Sequence, residues 1–321
     1  MRPTVVVMEN DKFDPWIAVG VLEDIADVDV IDPNSVEEML AAAADADALI
    51  PWGMPLDEAV LEQLERCSVI GICGTGVARI DLTAADANGI TVVNAATYAV
   101  EEVATHAMAL LLSCVRSLPA FDTAVRAGEW GRSPGEPIHR LEGRTLGLVG
   151  FGDIARRTAE LAQAFGSTVI AYDPYVEAEI FEEYDVTSVG FDELLTSSEL
   201  LSVHAPITAE THRMLDADAF DRMGQGTIVV NTGRGPVIEE AALLEALDEG
   251  TVEMAGLDVF EAEPLGPSPL CDRDDVILSP HIAWYSEESR EDAIRQVATD
   301  IRRILTGDEP ERVVDSSMPW V

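Results

Sequence analysis

The chain predicts an α/β protein made of two doubly wound parallel-sheet domains. Short runs of β-branched residues alternate with Ala/Leu/Glu-rich stretches of helical period, which is the pattern of parallel strands joined by crossover helices. The strands fall into two series separated by one long helix. A second helix-like stretch follows the last strand, so the chain leaves the first domain, builds the second and returns. A length of 321 residues suits two domains of ordinary size.

Strands of the first series are expected at Thr4–Glu9, Val28–Ile31, Ala48–Ile50, Val69–Cys73 and Val92–Asn94. Among the intervening stretches, Ser35–Asp45 reads as a helix with Ser35 as its N-cap and Glu38 three residues on. Val100–Leu118, rich in Ala, Leu and Met, reads as one long helix. A looser Gly/Pro segment, Gly128–Pro137, follows it. The second series is expected at Thr145–Val149, Val169–Tyr172, Leu200–His204, Ile228–Asn231, Ala255–Asp258 and Val276–Ser279, with Glu287–Thr306 as the returning helix. The domains are then 1–99 with 287–321, and 100–286 between them. A ligand site is expected in the cleft between the two domains.

Composition narrows the partners. Hydrophobic residues make up 47% of the chain and 17 prolines are spread along it, with no low-complexity tract, so it reads as globular. Against 60 Asp and Glu stand 20 Lys and Arg, a formal net charge of −40, and Lys12 is the only lysine. A field of that sign repels nucleic-acid phosphates and anionic membranes, which argues against both as partners. What remains is a solvated acidic shell of the kind that stays soluble in concentrated salt, so a halophilic setting is expected. Cys67, Cys73, Cys114 and Cys271 show neither C-x-x-C spacing nor a histidine cluster, and read as free thiols in a reducing compartment. The apolar start, Val5–Met8, is too short for a signal peptide and nothing reaches membrane-spanning length, so a cytoplasmic protein is expected.

The stretch Gly150-Phe-Gly152-Asp-Ile-Ala155 sets a G-x-G-x-x-A between an apolar strand and an amphipathic helix, Ile154–Phe165. In that context the motif marks a Rossmann dinucleotide site. Gly150 permits the turn, Gly152 lets backbone approach a pyrophosphate, and Ala155 keeps the helix close to the sheet. Free N–H groups at the helix start favour the anion. Asp173 ends the next strand, where a carboxylate accepts from the ribose hydroxyls and repels a 2′-phosphate, favouring NAD over NADP. Asp153 fits less well, since its negative side chain lies beside the phosphates unless it points outward or caps the helix.

Three more segments each follow a strand of the second series. They are Asn231-Thr-Gly-Arg234-Gly-Pro, Asp258-Val-Phe-Glu-Ala-Glu263-Pro and Ser279-Pro-His281-Ile-Ala-Trp284. The carboxyl ends of strands in an open α/β sheet line one crevice, so Arg234, Glu263 and His281 are expected to converge. No histidine pair has metal-ligand spacing, and no metal is expected.

With Val203–Pro206 added to these segments, the chain resembles the D-isomer-specific 2-hydroxyacid dehydrogenases over essentially its whole length. Val100-Glu-Glu102 and the run from His281 to Glu287 look closest to the branch containing the C-terminal binding proteins. The resemblance implies a Rossmann NAD-binding domain inserted into a flavodoxin-like substrate domain, and a homodimer formed through the nucleotide domains. It implies that His281 is the acid–base group for a hydride transfer between a 2-hydroxy acid and its 2-keto acid. Glu263 would fix the tautomer of that ring, and Arg234 would bind the substrate through its planar fork. Cofactor contacts are implied at Gly150, Gly152, Asp153, Ile154 and Asp173. More are implied at His204, Pro206 and Thr211, and on the nicotinamide side at Thr232, Gly233 and Asp258. His106, His139 and His212 match no such role and read as structural or exposed.

The resemblance also implies that backbone N–H groups of the loop Gly74-Thr75-Gly76-Val77 hold the substrate carboxylate. This chain carries Ala78-Arg79 where the family usually has Asp or Asn followed by Asn or His. Arg79 is open between serving an acidic substrate side chain and pairing with a surface acid. Trp284, where most relatives carry glycine, is open between walling the substrate pocket and plain packing. Candidate substrates are glyoxylate-, pyruvate- or branched-chain-type keto acids and 3-phosphoglycerate. No regulatory domain follows residue 321, which ranks the last of these lower. The alternative is an NAD-sensing dimeric scaffold like the C-terminal binding proteins.

The charge balance predicts that stability rises with salt. Urea midpoints should climb between about 0.1 M and about 2 M KCl as screening relieves self-repulsion. A midpoint that falls over that range would exclude a halophilic shell.

Overall fold

Five parallel strands form the first sheet in the computed structural model, which describes residues 2–315. They are β1 (Thr4–Met8), β2 (Asp27–Ile31), β3 (Ala48–Ile50), β4 (Val69–Ile72) and β5 (Thr91–Asn94). Their order is β2-β1-β3-β4-β5, the flavodoxin-like doubly wound arrangement. Interior strand β1 is apolar after Thr4 because both faces are covered, with Val5, Val6 and Val7 fully buried. The helix Val36–Ala43 begins where expected: the Ser35 hydroxyl accepts from the Glu38 N–H, while the Glu38 carboxylate accepts from the backbone of Asn34 rather than of Ser35.

The second sheet runs β6 (Thr145–Val149), β7 (Thr168–Tyr172), β8 (Thr187–Ser188), β9 (Leu200–Val203), β10 (Thr227–Asn231), β11 (Val252–Leu257) and β12 (Val276–Leu278) along the chain. The spatial order is β12-β11-β10-β9-β6-β7-β8, parallel throughout. The order reverses between β6 and β9, which puts the topological switch point beside the glycine turn. Successive residues feed opposite faces: Leu200, Ile228 and Val230 enter one core, while Leu201, Val203 and Val229 enter the other. By packing the chain divides into two units, one reaching Ala99 and resuming at Tyr285, the other Val100–Trp284. Residues 316–321 of the expected substrate-domain segment lie outside the described residues.

Two expectations change. Val100–Leu118 is not one helix: it stops at Val115, and a second helix, Leu118–Arg126, sets off at 62° to it. Pro119 explains the break, since it lacks an N–H and its ring would strike the Val115 carbonyl if the helix continued. Ser117 makes the corner in the left-handed region, with φ 47°. The second change is β8, which sequence reading missed because two residues are too short to show alternation. Among the described residues no single helix is long and apolar enough to cross a membrane.

The returning helix, Glu287–Thr306, starts with a Ser286/Ser289 capping box and lies against β4 and β5. Its Asp300 is fully buried and accepts from the Glu311 N–H at 2.8 Å, from Arg312 at 3.1 Å and from Arg303 at 3.4 Å. These bonds hold the following segment where Val314 N–H reaches the Val92 carbonyl at 2.8 Å. Asp300→Ala should therefore lower unfolding free energy by about 1–3 kcal/mol, because it takes the acceptor from Glu311 N–H and one of two carboxylate partners from Arg303 and from Arg312, each of which keeps Glu311. Urea unfolding at molar KCl reads it, and a loss under about 1 kcal/mol would mean that the pair is dispensable.

Candidate functional site

The glycine turn follows β6 directly. Gly150 has φ +87°, and a Cβ there would meet the Ala205 backbone N at 3.0 Å, so both conformation and space demand glycine. Phe151 is buried and stacks on Phe181 with ring centroids 4.6 Å apart, anchoring the turn from below. Gly152 is the N-cap of the helix Asp153–Ala164 and supplies no side-chain cap. A Cβ on Gly152 would meet nothing within 4 Å, so the ground in front of the helix start is open. The fully buried Ala155 packs into the core beneath.

Asp173, one residue past β7, is held rigidly. Its carboxylate accepts from Phe151 N–H at 2.8 Å and from Tyr175 N–H at 3.0 Å, which ties the next strand end to the glycine turn. Asp153 points outward rather than capping: its half-exposed carboxylate pairs with Arg156 at 3.4 Å, so its charge beside the turn is offset. Ile154 follows it in the first helical turn, partly buried.

Past β9, His204 donates its backbone N–H to Val149 at 2.8 Å and joins Ser202 Oγ through Nε2 at 2.9 Å. Burial pushes the ring pKa down to about 4, which keeps it neutral. Thr211 Oγ1 donates to the Pro206 carbonyl at 2.6 Å and accepts from Thr208 N–H at 2.8 Å, closing that loop on itself. Past β10, Asn231 braces the arginine turn: its side chain accepts from Gly233 N–H and donates to the Arg234 carbonyl, each at 3.0 Å. A Cβ on Gly235 would sit 1.9 Å from the Phe260 backbone, so glycine there lets the turn press against the loop that carries Glu263. The half-buried Arg234 donates to the Gly233 carbonyl at 2.8 Å.

Two buried polar atoms in this region, Thr232 Oγ1 and His204 Nδ1, have no hydrogen-bond partner. With the open ground before Gly152, the uncapped helix start and the fixed Asp173, they fit a bound dinucleotide.

The pair His281 and Glu263 lies at the other end of the sheet. His281 Nδ1 meets Glu263 Oε2 at 2.7 Å, and Glu263 Oε1 accepts from Phe260 N–H at 3.1 Å. A carboxylate only accepts, so the ring proton sits on Nδ1 and Nε2 is left for chemistry. His281 has φ 51°, a left-handed conformation that costs a non-glycine residue about 1–2 kcal/mol. The buried Asp258 holds that turn, accepting from Ile282 N–H at 3.0 Å and Ala283 N–H at 2.9 Å. Trp284 Nε1 donates to the His281 carbonyl at 3.1 Å, so this indole at least braces the turn.

The structure thus brings Glu263, His281 and Asp258 together, and sets Arg234 at the end of the strand beside β11. Thr75, Gly76 and Val77 lie in the other unit, in the loop after β4, where Thr75 O accepts from Asn94 and Val77 is buried. Arg79 is exposed and donates to the Gly53 carbonyl. Sequence reading gave no role to His106 or Ser279; they bond each other at 3.0 Å across 173 positions, a separation that no motif spans. His139 and His212 are exposed.

A glycine turn at the switch point of a parallel sheet, an acid just past the next strand and a histidine–carboxylate pair at the far end describe an α/β domain of the dinucleotide-binding class. Residues 108–283 match the family model described as D-isomer specific 2-hydroxyacid dehydrogenase, NAD binding domain. The chain is 37% identical over 300 residues to a D-3-phosphoglycerate dehydrogenase of Methanocaldococcus jannaschii, covering 93% of this chain and 57% of that protein. It is 31% identical to a hydroxypyruvate reductase of Blautia hydrogenotrophica, covering 97% of this chain and 99% of that one. A glyoxylate reductase structure from Paecilomyes thermophila superposes with a TM-score of 0.89 at 27% identity, covering 99% of this chain and 100% of that one. The chain belongs to the D-isomer specific 2-hydroxyacid dehydrogenase family, and Val100–Trp284 contains its NAD-binding domain. It spans little more than half the length of the phosphoglycerate dehydrogenases that it matches.

The His204 ring predicts a pH effect. Its folded pKa, about 4, lies below the usual 6.5, so the unfolded chain takes up the proton first as pH falls. Stability from this group is therefore present above pH 6.5 and lost on acidification to about 4. Relative to His204→Gln, the wild type should lose about 3 kcal/mol of unfolding free energy across that window. A flat difference in urea titrations at molar KCl would show that the ring is hydrated.

Proposed function

We propose that this protein is an NAD-dependent oxidoreductase that interconverts a D-2-hydroxy acid and its 2-keto acid. The observation that carries the reading is the 2.7 Å bond between His281 Nδ1 and Glu263. It commits one ring nitrogen to the carboxylate and leaves Nε2 as the proton donor and acceptor. The glycine turn at Gly150 and Gly152 and the Asp173 carboxylate would hold the dinucleotide, which would supply the hydride for the keto carbon. His281 Nε2 delivers the proton to the carbonyl oxygen and removes it from the hydroxyl in the reverse direction. Glu263 holds the tautomer and stabilises the imidazolium. Arg234 binds the substrate's carboxylate and carbonyl oxygens, for which a planar fork is better suited than an ammonium.

Relatives named D-3-phosphoglycerate dehydrogenase and hydroxypyruvate reductase support small 2-keto acids as the substrate class. These are enzyme names, and they do not favour the scaffold alternative. A homodimer working in a salt-rich cytoplasm completes the reading.

NADH oxidation at molar KCl, with glyoxylate, pyruvate, hydroxypyruvate, 2-ketoisocaproate and 3-phosphohydroxypyruvate, tests it. Turnover is expected with at least one acid, and NADPH should be the poorer reductant because of Asp173. His281→Ala should lower kcat by about 10²–10⁴-fold while NADH binding holds. Arg234→Lys should impair both kcat and KM. Tight NADH binding with no turnover on any acid would overturn the proposal.

A further inference from the structure

Asp258 is fully buried and its carboxylate has three donors. Besides the Ile282 and Ala283 amides it accepts from Ser279 Oγ at 2.6 Å. Ser279 has a single proton, and it is spent on Asp258. Its oxygen can therefore only accept from the third member, His106 Nε2, at 3.0 Å. The proton order is thus determined: His106 Nε2–H to Ser279 Oγ–H to Asp258 Oδ1. His106 comes from the helix Val100–Val115, far from the other two in sequence, and its ring is about three-quarters buried.

The line ends behind the His281 turn. Asp258 also accepts the His281 N–H through its own backbone carbonyl at 2.8 Å, so one residue holds the amides of 281, 282 and 283. That turn is the strained one, and a strained conformation persists only when its surroundings over-determine it. A carboxylate free to rotate would hold the two amides less well. Ser279 restrains that rotation by donating to Oδ1, and His106 fixes the Ser279 hydroxyl by donating to it.

We propose that His106 is a positioning residue: acting through Ser279, it orients the Asp258 carboxylate toward the Ile282 and Ala283 amides and so keeps His281 in the left-handed turn that presents Nε2. The kinetic consequence rests on the function proposed above; the structural one does not.

His106→Phe preserves ring bulk and removes the donor, whereas His106→Gln restores an N–H at similar reach. In His106→Phe, hydrogen exchange at the Ile282 and Ala283 amides should accelerate by about ten-fold or more. With the keto acid that the wild type reduces, kcat should fall comparably, while the KM for that acid, the Kd for NADH and Tm stay close to wild type. His106→Gln should recover most of the protection and the rate. If His106→Phe does not fold, Ser279→Ala carries the same expectation for exchange. Unchanged exchange in the variant lacking the donor, or a glutamine variant no better than phenylalanine, would overturn the proposal. Should the wild type reduce no keto acid, the proposed function fails and the exchange measurement still decides this one.

Discussion

All seven strands of the second sheet point the same way, and the site depends on that alignment. A parallel sheet covered on both faces leaves little room for charged side chains within its strands, because each residue faces one core or the other; the buried polar residues there, Ser202, Thr227 and Asn231, are uncharged and hydrogen-bonded. The residues just past each ladder are free of that constraint. Gly150 follows Val149, Asp173 follows Tyr172, His204 follows Val203, Thr232 follows Asn231, Asp258 follows Leu257 and Ser279 follows Leu278. Since the strands are parallel, all six residues emerge at one edge. Along that edge the glycine turn lies beside the strand-order reversal and His281 lies at the far end.

Charge has different consequences at different depths of this chain. With a formal net charge of −40, most carboxylates can only face water and repel one another. The two fully buried ones, Asp258 and Asp300, are each met by several donors. Burying a carboxylate is costly unless its lone pairs are occupied, so both become points around which local structure is arranged. Asp300 gathers the chain that follows the returning helix, and Asp258 gathers the His281 turn. Glu263 is different again: partly exposed, it holds one ring nitrogen and one backbone amide, enough to orient a histidine without burying it.

The left-handed conformation of His281 links stability to chemistry. An ordinary turn would relax to negative φ and carry the ring elsewhere. Here Asp258 holds the backbone and Glu263 holds the ring, so position and tautomer are set by separate groups. In the proposed reaction such preorganisation matters because small displacements of the proton-donating atom are expensive in rate.

Much was legible in the chain by itself. Both strand series apart from the two-residue β8, the glycine motif with its distant acid, and the strand-end placement of Arg234, Glu263 and His281 follow from local pattern, because hydrophobic periodicity and turn chemistry act over a few residues. The acidic shell is legible for the same reason, since net charge needs no coordinates. Only the folded chain could decide the rest. The break at Ser117 turns on a clash between Pro119 and a carbonyl one helical turn back. Asp153 is turned outward by its pairing with Arg156, and Arg79 reaches a carbonyl on another segment. The line from His106 through Ser279 to Asp258 joins residues from three separate stretches of chain, which no local signal connects. A hydrogen bond is decided by the arrival of two groups at about 3 Å, and for groups far apart in sequence only the packing of the sheet brings them there.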